Sequence, residues 1–498
     1  MTVKITNFAT KNINKHMKKF LLALVAMATL QMSGTIKIVA LSDIHAMSEK
    51  LVPNKGEAID AYASTDMRMI KESAEILRTV VQQIIKQKPD IVMISGDLTK
   101  DGERLSHEFV TSQLELLRAK GIKVLVIPGN HDISNANAKI FDGKNKRDAA
   151  TITRKEFEKL YANFGYGNEV KRDTASLSYA AEPVKGLVVI GIDSNRDEEN
   201  LLKSRGDSVN TYHTEGRIKE STLNWISLRA REARSQGKHV VAMMHHHLIE
   251  HFDSEARILE KYVVAQHEEV RNALIDAGVH TILTGHLHLT DIARDYNNGD
   301  SITEVATGSL ITYPFHYRTI TISDGKMMVN TNQVKSVASN KNLLAEGKKH
   351  VENAVPKLME SMLGKLMGKL DSVSKKLNGM MAMFGGGNID LSRQKKGIME
   401  VCHMQFDDVA KKAFIALYEG NEGRNPHSKE VVDQMEEGLK AVLNAALPAS
   451  IGSMVQGFLM ENAMPQFDNL IRSMMEDRNH CGTPQEVVVD DHTTTFDM

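Results

Sequence analysis

Cysteine is almost missing from this chain. Only Cys402 and Cys481 occur among 498 residues, both late in the sequence. That excludes a disulfide framework or a cysteine-ligated zinc cluster as the organising device. An excess of charge of either sign is also missing. Lys and Arg number 62 against 63 Asp and Glu, for a net charge of -1 and a pI of about 7.1. No strongly basic face of the kind that nucleic acid selects is advertised. Acidic residues are absent before Asp43, while Lys11, Lys15, Lys18 and Lys19 are all basic. The apolar run that follows, Phe20 to Leu30, is short for a membrane span, which needs about 20 apolar residues. A basic stretch before a short apolar run has the outline of a secretory signal peptide. Met17-Lys18-Lys19 resembles a natural start, and Ser33-Gly34 supplies small residues without a clean Ala-x-Ala before them. No cysteine follows the run, so a lipoprotein anchor has no support. The expectation is an exported protein of the periplasm or cell envelope.

What is present is ordinary in bulk and specific in detail. Hydrophobic residues make up 42% and charged residues 25%, as in soluble globular proteins. The length favours two or three domains. Residues 1–34 form the N-terminal extension. From 35 to 334 short β-branched runs alternate with helical periodicity. Ile36–Leu41, Ile91–Ile94, Val124–Ile127, Leu187–Ile190, His239–Met244, Thr281–Leu283 and Ile302–Ala306 read as strands. Helices are expected from about Ser64 to Lys88 and from Leu105 to Lys120. Asp324-Gly325 between Thr319–Ser323 and Met327–Asn330 signals a hairpin. The pattern is that of an α/β domain with mixed sheets. After a polar stretch, Val337 to Leu343, residues 335–498 read as an appended all-α domain, with apolar stripes such as Leu358, Met362, Leu366, Leu370 and Val431, Met435, Leu439, Val442, Leu443. Gly385-Gly386-Gly387 separates two of its helices, and the residues from about Gly482 read as a frayed tail. More than half of the 27 Met fall after His350. They suit an adaptable core, or a surface for a partner, a second copy or a lipid.

Five short blocks carry the chemistry. They are Leu41-Ser42-Asp43-Ile44-His45, Ser95-Gly96-Asp97-Leu98-Thr99, Pro128-Gly129-Asn130-His131-Asp132, His245-His246-His247 and Thr284-Gly285-His286-Leu287-His288. Each follows an apolar run where the run gives way to a turn, and loops at strand ends are where rigid scaffolds display reactive groups. Carboxylate, imidazole and amide ligands together suit Mn, Fe or Zn better than Ca or Mg. Two such ions about 3.5–4 Å apart can clamp a phosphoryl group and bring a bound water to a near-neutral pKa. Residues two apart on an extended segment share a face, so Asp43 with His45, and His286 with His288, are expected to project together. Gly96 and Gly129 let the backbone turn so that Asp97 and Asn130 face the site.

The ordered set resembles the signature of the calcineurin-like metallophosphoesterase superfamily, of the bacterial phosphodiesterase and phosphatase type, over about residues 35–334. The resemblance implies an αββα sandwich of two mixed β-sheets with metals at the strand ends. It places one metal on Asp43, His45, Asp97 and His288, and the other on Asp97, Asn130, His245 and His286, with Asp97 bridging. His245 is preferred to His246 because it directly follows Val240–Met244; His247 is expected to be a substrate-side or structural residue. His131 is implied as the group that meets the scissile phosphate and protonates the leaving oxygen, with Asp132 as a candidate hydrogen-bond partner or a cap on backbone amides. Lys100 stands where purple acid phosphatases carry a Tyr ligand. Asp101-Gly102 lacks the Arg, and Asp132 replaces the Glu, of the protein Ser/Thr phosphatases. The implied reaction is hydrolysis of a phosphate ester, diester favoured over monoester, by a metal-bound hydroxide. The substrate would be a small molecule or a lipid head group, and specificity is expected from the loops Ala46–Thr65 and Asp132–Asp173, and from Asp193-Ser194-Asn195, Tyr212-His213 and Tyr313-Pro314. The helical region offers a surface for a second copy or a membrane. A metal-binding scaffold acting through those helices and a nuclease are the alternatives.

Overall fold

A computed structural model describes residues 34–368, 395–420, 428–446 and 490–498, with 375, 378–379, 422, 469 and 472–475 between them. The expected export signal, Leu370, Gly385–Gly387 and Cys481 lie outside the described residues. The chain begins with β1 (Ile36–Leu41), α1 (Glu57–Ala63), α2 (Ser73–Gln87), β2 (Ile91–Ile94), α3 (Arg104–Arg118) and β3 (Lys123–Val126). A hairpin, β4 (Lys139–Asp142) and β5 (Asn145–Asp148), precedes α4 (Arg154–Leu160), β6 (Lys171–Arg172), β7 (Tyr179–Val184) and β8 (Leu187–Ile192). Next come α5 (Glu220–Ser235), β9 (His239–Met244), α6 (Glu255–Ile258), α7 (His267–Asp276) and β10 (Thr281–Thr284). The strands β11 (Asp291–Asn297), β12 (Asp300–Ala306), β13 (His316–Ser323) and β14 (Lys326–Gln333) lead into α8 (Leu343–Gly368), α9 (Lys395–Glu419), α10 (Ser428–Ala446) and β15 (Thr493–Asp497).

Two mixed sheets result. One has the order β15-β14-β13-β1-β2-β3 and the other β11-β12-β10-β9-β8-β7-β6. In the first, β1, β2 and β3 run parallel and β13 and β14 antiparallel. In the second, β8, β9, β10 and β12 run parallel. Parallel strands buried on both faces explain why IVMI and TILT are nearly continuous apolar runs. Leu41, Ile94 and Val126 share one core with Val241, Met243 and Leu283 from the facing sheet, and Val80, Val81 and Leu114 cover its outer side from α2 and α3. A second core packs Ile226 and Ala230 of α5 and Leu274 of α7 on Ile190, Ala242 and Ile282. Each such aliphatic side chain contributes about 1.5–3 kcal/mol by leaving water. The αββα sandwich expected from the sequence is therefore present. The first helix is shorter than expected: Ser64 to Glu72 forms turns, and α2 starts at Ser73.

The C-terminal region departs from an all-helical, free-standing unit. Val337 and Leu343, expected in a polar linker, are buried in the main core. Val351 and Val355 of α8 pack with Ala410, Ile415 and Tyr418 of α9, and Met67 and Tyr313 of the sandwich lie against them. Val431 packs on Val409, Ala413 and Met475, with Met435 against this cluster. The expected frayed tail instead contains β15, paired antiparallel with β14 from Lys326↔Asp497 to Asn330↔Thr493. Thr493-Thr-Thr-Phe-Asp497 is β-branched and aromatic enough to extend an edge, and Phe496 enters the core. Among the described residues no helix is long and apolar enough to cross a membrane.

Candidate metal centre

The parallel strands point their C-terminal ends at one place. Asp43 and His45 follow β1, Asp97 follows β2, Asn130 and His131 follow β3, His245 follows β9, and His286 and His288 follow β10. Local backbone, rather than extended pleating, aims them. Asp43, His45, Asp97, His286 and His288 all have positive φ, from 39° to 73°. The expected strand-like sharing of a face is thus corrected: left-handed turns bring each pair round. Such conformations in non-glycine residues cost of order 1–3 kcal/mol each and persist where surrounding structure enforces them. Gly96 has φ 92°. Gly129 serves by its lack of a side chain, because a Cβ there would lie 2.2 Å from Asp97 N and Oδ1.

The seven expected ligands come together in two halves. In one, Asp43 Oδ1 lies 3.3 Å from His288 Nε2 and 3.7 Å from His45 Nε2, which is 3.2 Å from His288 Nε2. In the other, His245 Nε2 is 3.4 Å from Asp97 Oδ2 and 3.1 Å from Asn130 Oδ1. His286 joins it, with ligand atoms of Asp97, His245 and His286 all within 4.8 Å of one another. Asp97 Oδ2 faces both halves, being also 3.5 Å from His45 Nε2.

Three observations say that these residues suit a pair of cations. Asp43 Oδ1 is a buried acceptor with no donor, while Oδ2 is taken by Ser42 Oγ and His286 N. His245 donates from Nδ1 to the Ser95 carbonyl at 2.8 Å and His286 from Nε2 to the Lys261 carbonyl at 3.0 Å. This fixes the tautomers and leaves Nε2 and Nδ1, respectively, as lone pairs. Finally, the protein alone leaves negative charge to be matched. Burial opposes charging His245, yet the Asp97 and Asp43 carboxylates push its pKa up to about 9. Against burial, His288 and His45 hold Asp43, and His245 and His131 hold Asp97, well below the usual carboxylate range.

His246 is not a member. Its Nδ1 meets Ser194 Oγ at 2.8 Å and its Nε2 the Thr214 carbonyl at 3.0 Å, so both nitrogens are engaged. Burial and neighbouring His245 push its pKa down to about 3. His247 turns away from the centre to Glu255.

His131 stands at the open side, 18% exposed, edge-on to His45 with ring centroids 4.9 Å apart. Its Nδ1 bonds Asp101 Oδ1 at 2.8 Å and the Lys100 carbonyl at 2.9 Å. Burial opposes a proton there, but the Asp97 and Asp101 charges outweigh it and raise the pKa above the ordinary histidine value. Asp132, the expected partner, is not bonded to the ring. Its carboxylate accepts from Leu98 N, Thr99 N, Thr99 Oγ1 and Gly129 N at 2.8–3.0 Å, tying together the turns that carry Asp97 and Asn130. Burial and the Asp97 charge push its pKa up to about 7.

Sequence reasoning also missed Arg68. Its Nε and NH2 form a fork on the two oxygens of Asp66 at 2.9 and 2.7 Å, and NH1 reaches His45 Nδ1 at 3.0 Å. Burial opposes its charge, and the Asp66 carboxylate outweighs that. No motif marks Arg68; it lies just past the loop Ala46–Thr65 expected to set specificity, in a stretch expected to be helical that instead forms turns. Of the other expected specificity residues, Tyr212 comes within 6.3 Å of the His131 ring, centroid to centroid. Asp193 and Asn195 brace the scaffold instead, through Arg154 and the Pro128 carbonyl. Tyr313 points to Glu419 of α9. Lys100 is buried against the Tyr62 and Phe141 rings, paired with Asp101 and Glu103.

A two-sheet sandwich with acid, amide and imidazole groups gathered at its parallel strand ends defines a dinuclear-type phosphoesterase scaffold. The profile of calcineurin-like phosphoesterases matches residues 36–289, about half of the chain, and the chain belongs to that family. A curated relative, the "Probable cyclic nucleotide phosphodiesterase" of Ruthia magnifica subsp. Calyptogena magnifica, is 40% identical over 65 residues. That stretch is 13% of this chain and 26% of the relative, so about a quarter of the relative's length is spanned. A dimetal phosphatase from Danio rerio aligns at 15% identity over 60% of this chain and 96% of its own, with a TM-score of 0.40. A purple acid phosphatase from yellow lupin (Lupinus luteus) seeds aligns at 13% identity over 60% and 52%, with a TM-score of 0.38.

Proposed function

We propose that this chain hydrolyses phosphate esters at a pair of metal ions, with diesters preferred to monoesters. The observation that carries the reading is the Asp97 carboxylate facing both half-sites, with His45 on one side and His245 on the other. Asp43, His45, Asp97 and His288 would hold one ion, and Asp97, Asn130, His245 and His286 the other. Bound Mn, Fe or Zn ions would supply Lewis acidity and an activated water.

The chain's own residues do the rest. His131 is anchored through Nδ1 by Asp101, so Nε2 is the atom that delivers a proton to the leaving oxygen. The Asp97 and Asp101 carboxylates beside the ring favour its protonated form. Arg68, held by its fork on Asp66, offers NH1 beside His45 as a positioning donor for a phosphoryl oxygen. Tyr212 beside His131 would line the leaving-group side. The diester preference draws on the Ser95–Thr99 and Gly129–Asp132 blocks and on the short match to the phosphodiesterase-named relative. The Lys-rich start before Phe20–Leu30 supports action outside the cytoplasm. The test is hydrolysis of bis(p-nitrophenyl) phosphate against p-nitrophenyl phosphate by metal-stripped protein restored with Mn, Zn or Fe. Metal-dependent turnover that prefers the diester and is lost in Asp97→Asn is expected. No turnover on either ester with any metal, while two ions still bind, would favour the scaffold reading.

A further inference from the structure

A second group of metal-type side chains lies behind the candidate centre, and the function proposed above does not use it. His247, His251 and Glu304 offer ligand atoms that all fall within 4.8 Å of one another. The three side chains are 0%, 4% and 0% exposed. They converge through sheet order: His247 and His251 follow β9, Glu304 lies on β12, and β10 runs between the two strands.

The hydrogen bonds decide what the two rings can do. His247 Nδ1 bonds Glu255 Oε1 at 2.9 Å, and His251 Nδ1 bonds Asp291 Oδ2 at 2.7 Å. A carboxylate only accepts, so each Nδ1 carries a proton. In the neutral imidazole the lone pair is then on Nε2. Both Nε2 atoms are buried without a hydrogen-bond partner. The rings lie 4.3 Å apart, centroid to centroid, and His251 Nε2 is 3.3 Å from Glu304 Oε1. Glu304 is itself fixed: Oε2 accepts from Leu248 N and Ile249 N at 3.0 and 2.7 Å, and Oε1 from Thr284 Oγ1 at 2.5 Å. Glu255 Oε2 accepts from His251 N at 2.6 Å. Each ring is thus oriented by its own carboxylate and turns its other nitrogen inward, which is how metal-bound histidines are held.

We propose that His247 Nε2, His251 Nε2 and Glu304 Oε1 bind a third metal ion of the zinc type, structural and separate from the dinuclear pair. Two imidazoles and one carboxylate match zinc's ligand preferences, and a water would complete the four-coordinate shell. Bonds of about 2.0–2.2 Å in a tetrahedral arrangement separate ligand atoms by ~3.4 Å, so the 4.8 Å limit leaves a modest contraction. The competing account is a metal-free ion pair between protonated His251 and its two carboxylates. It leaves His247 Nε2 buried and unmatched, which folded proteins ordinarily avoid. The ion would stabilise two loops of the catalytic region, since His247 is two residues from His245 and Thr284 two residues from His286.

The experiment counts zinc in the full chain after saturation and desalting, by mass spectrometry, with circular dichroism as the check on folding. The chain carrying both Asp43→Asn and Asp97→Asn strips each half of the dinuclear centre of its carboxylates. It should retain one zinc, and cobalt in its place should give the visible bands of a four-coordinate site. Adding His247→Gln with His251→Gln should remove that ion, and Glu255→Gln should weaken it 10–100-fold by freeing the His247 ring. Should the histidine variants fail to fold, the wild-type count decides: three zinc ions per chain are expected. Two or fewer in the wild type with none in the carboxylate double variant, or a retained ion that ignores the His247 and His251 changes, would overturn the proposal. Esterase activity does not enter, so failure of the catalytic reading would be seen separately.

Discussion

Replacing Asp132 with Asn tests whether this residue is a scaffold rather than a partner of His131. Its two oxygens accept four hydrogen bonds from Leu98 N, Thr99 N, Thr99 Oγ1 and Gly129 N, all buried. An amide of the same shape keeps one acceptor oxygen and turns an NH2 toward donors. With the oxygen kept on Thr99, the Leu98 and Gly129 N–H groups lose their acceptor. With the amide flipped, the Thr99 N–H loses it. A buried donor left unmatched costs about 1–3 kcal/mol, and the amide takes the flipped orientation that strands only one, so the expected loss is about 1–3 kcal/mol. That is a large share of the ~5–15 kcal/mol that holds a typical fold together. Equilibrium urea unfolding of metal-free wild type and Asp132→Asn would read it as a lower midpoint at unchanged slope. Metal retention should fall in parallel, because the same four bonds tie the Asp97 turn to the Asn130 turn. A loss below about 1 kcal/mol with metal binding intact would refute the reasoning. So would a variant stable as wild type but slowed only in turnover, which would return Asp132 to catalysis.

Arg68→Ala should lower kcat/KM on phosphodiesters by about 10–150-fold, the worth of a charged hydrogen bond of roughly 1.5–3 kcal/mol; steady-state kinetics with unchanged kcat/KM would remove Arg68 from substrate binding. His131→Ala should cost kcat about 10²–10⁴-fold, the usual range for a general acid, and Asp101→Asn should cost less, measured with the same esters. Gly129→Ala should lose bound metal, since a Cβ there would sit 2.2 Å from Asp97; metal content equal to wild type would contradict that close approach. Burial, with Arg104 adding to it, lowers His107 to about 4, while its nitrogens bond Tyr161 Oη and the Asp132 carbonyl. The unfolded chain gains a proton at His107 below about pH 6.5, where the folded chain does not. Stability should therefore be unaffected above that pH and fall by about 3 kcal/mol as pH drops to 4. His107→Asn should flatten that part of the unfolding profile relative to wild type.

Much of this was legible because the ligand blocks are local. A β-branched run ending in Ser-Gly-Asp or Thr-Gly-His announces both a strand and the turn beyond it, so Asp97 and His286 were found together with their supports. What stayed hidden depends on distant partners. Asp101 stands beside the Asp97 turn in sequence and Asp132 beside His131, yet each serves the other's neighbour. Only the packed turns decide that Asp101 meets the ring while Asp132 meets the amides. Arg68 carries no motif because its role is set by Asp66 and by the fold of a variable loop. His247 and Glu304 are 57 positions apart and are brought together by sheet order. The left-handed backbone at five ligands gives no sequence signal, as these are not glycines.

The pairing of β15 with β14 has a topological consequence. Asn330 stands opposite Thr493, so the two strands form a hairpin whose connection contains the whole helical region. α8, α9 and α10 are in that sense a long insertion in a turn, closed at its base by the catalytic sheet. A short turn spliced from Gln333 to Thr493 would keep the edge strand. Truncation after α10 would remove Phe496 from the core and, at Asp491, the carbonyl that buried Arg318 bonds. Removing the helices by excision and removing them by truncation are therefore two different perturbations of the catalytic sheet.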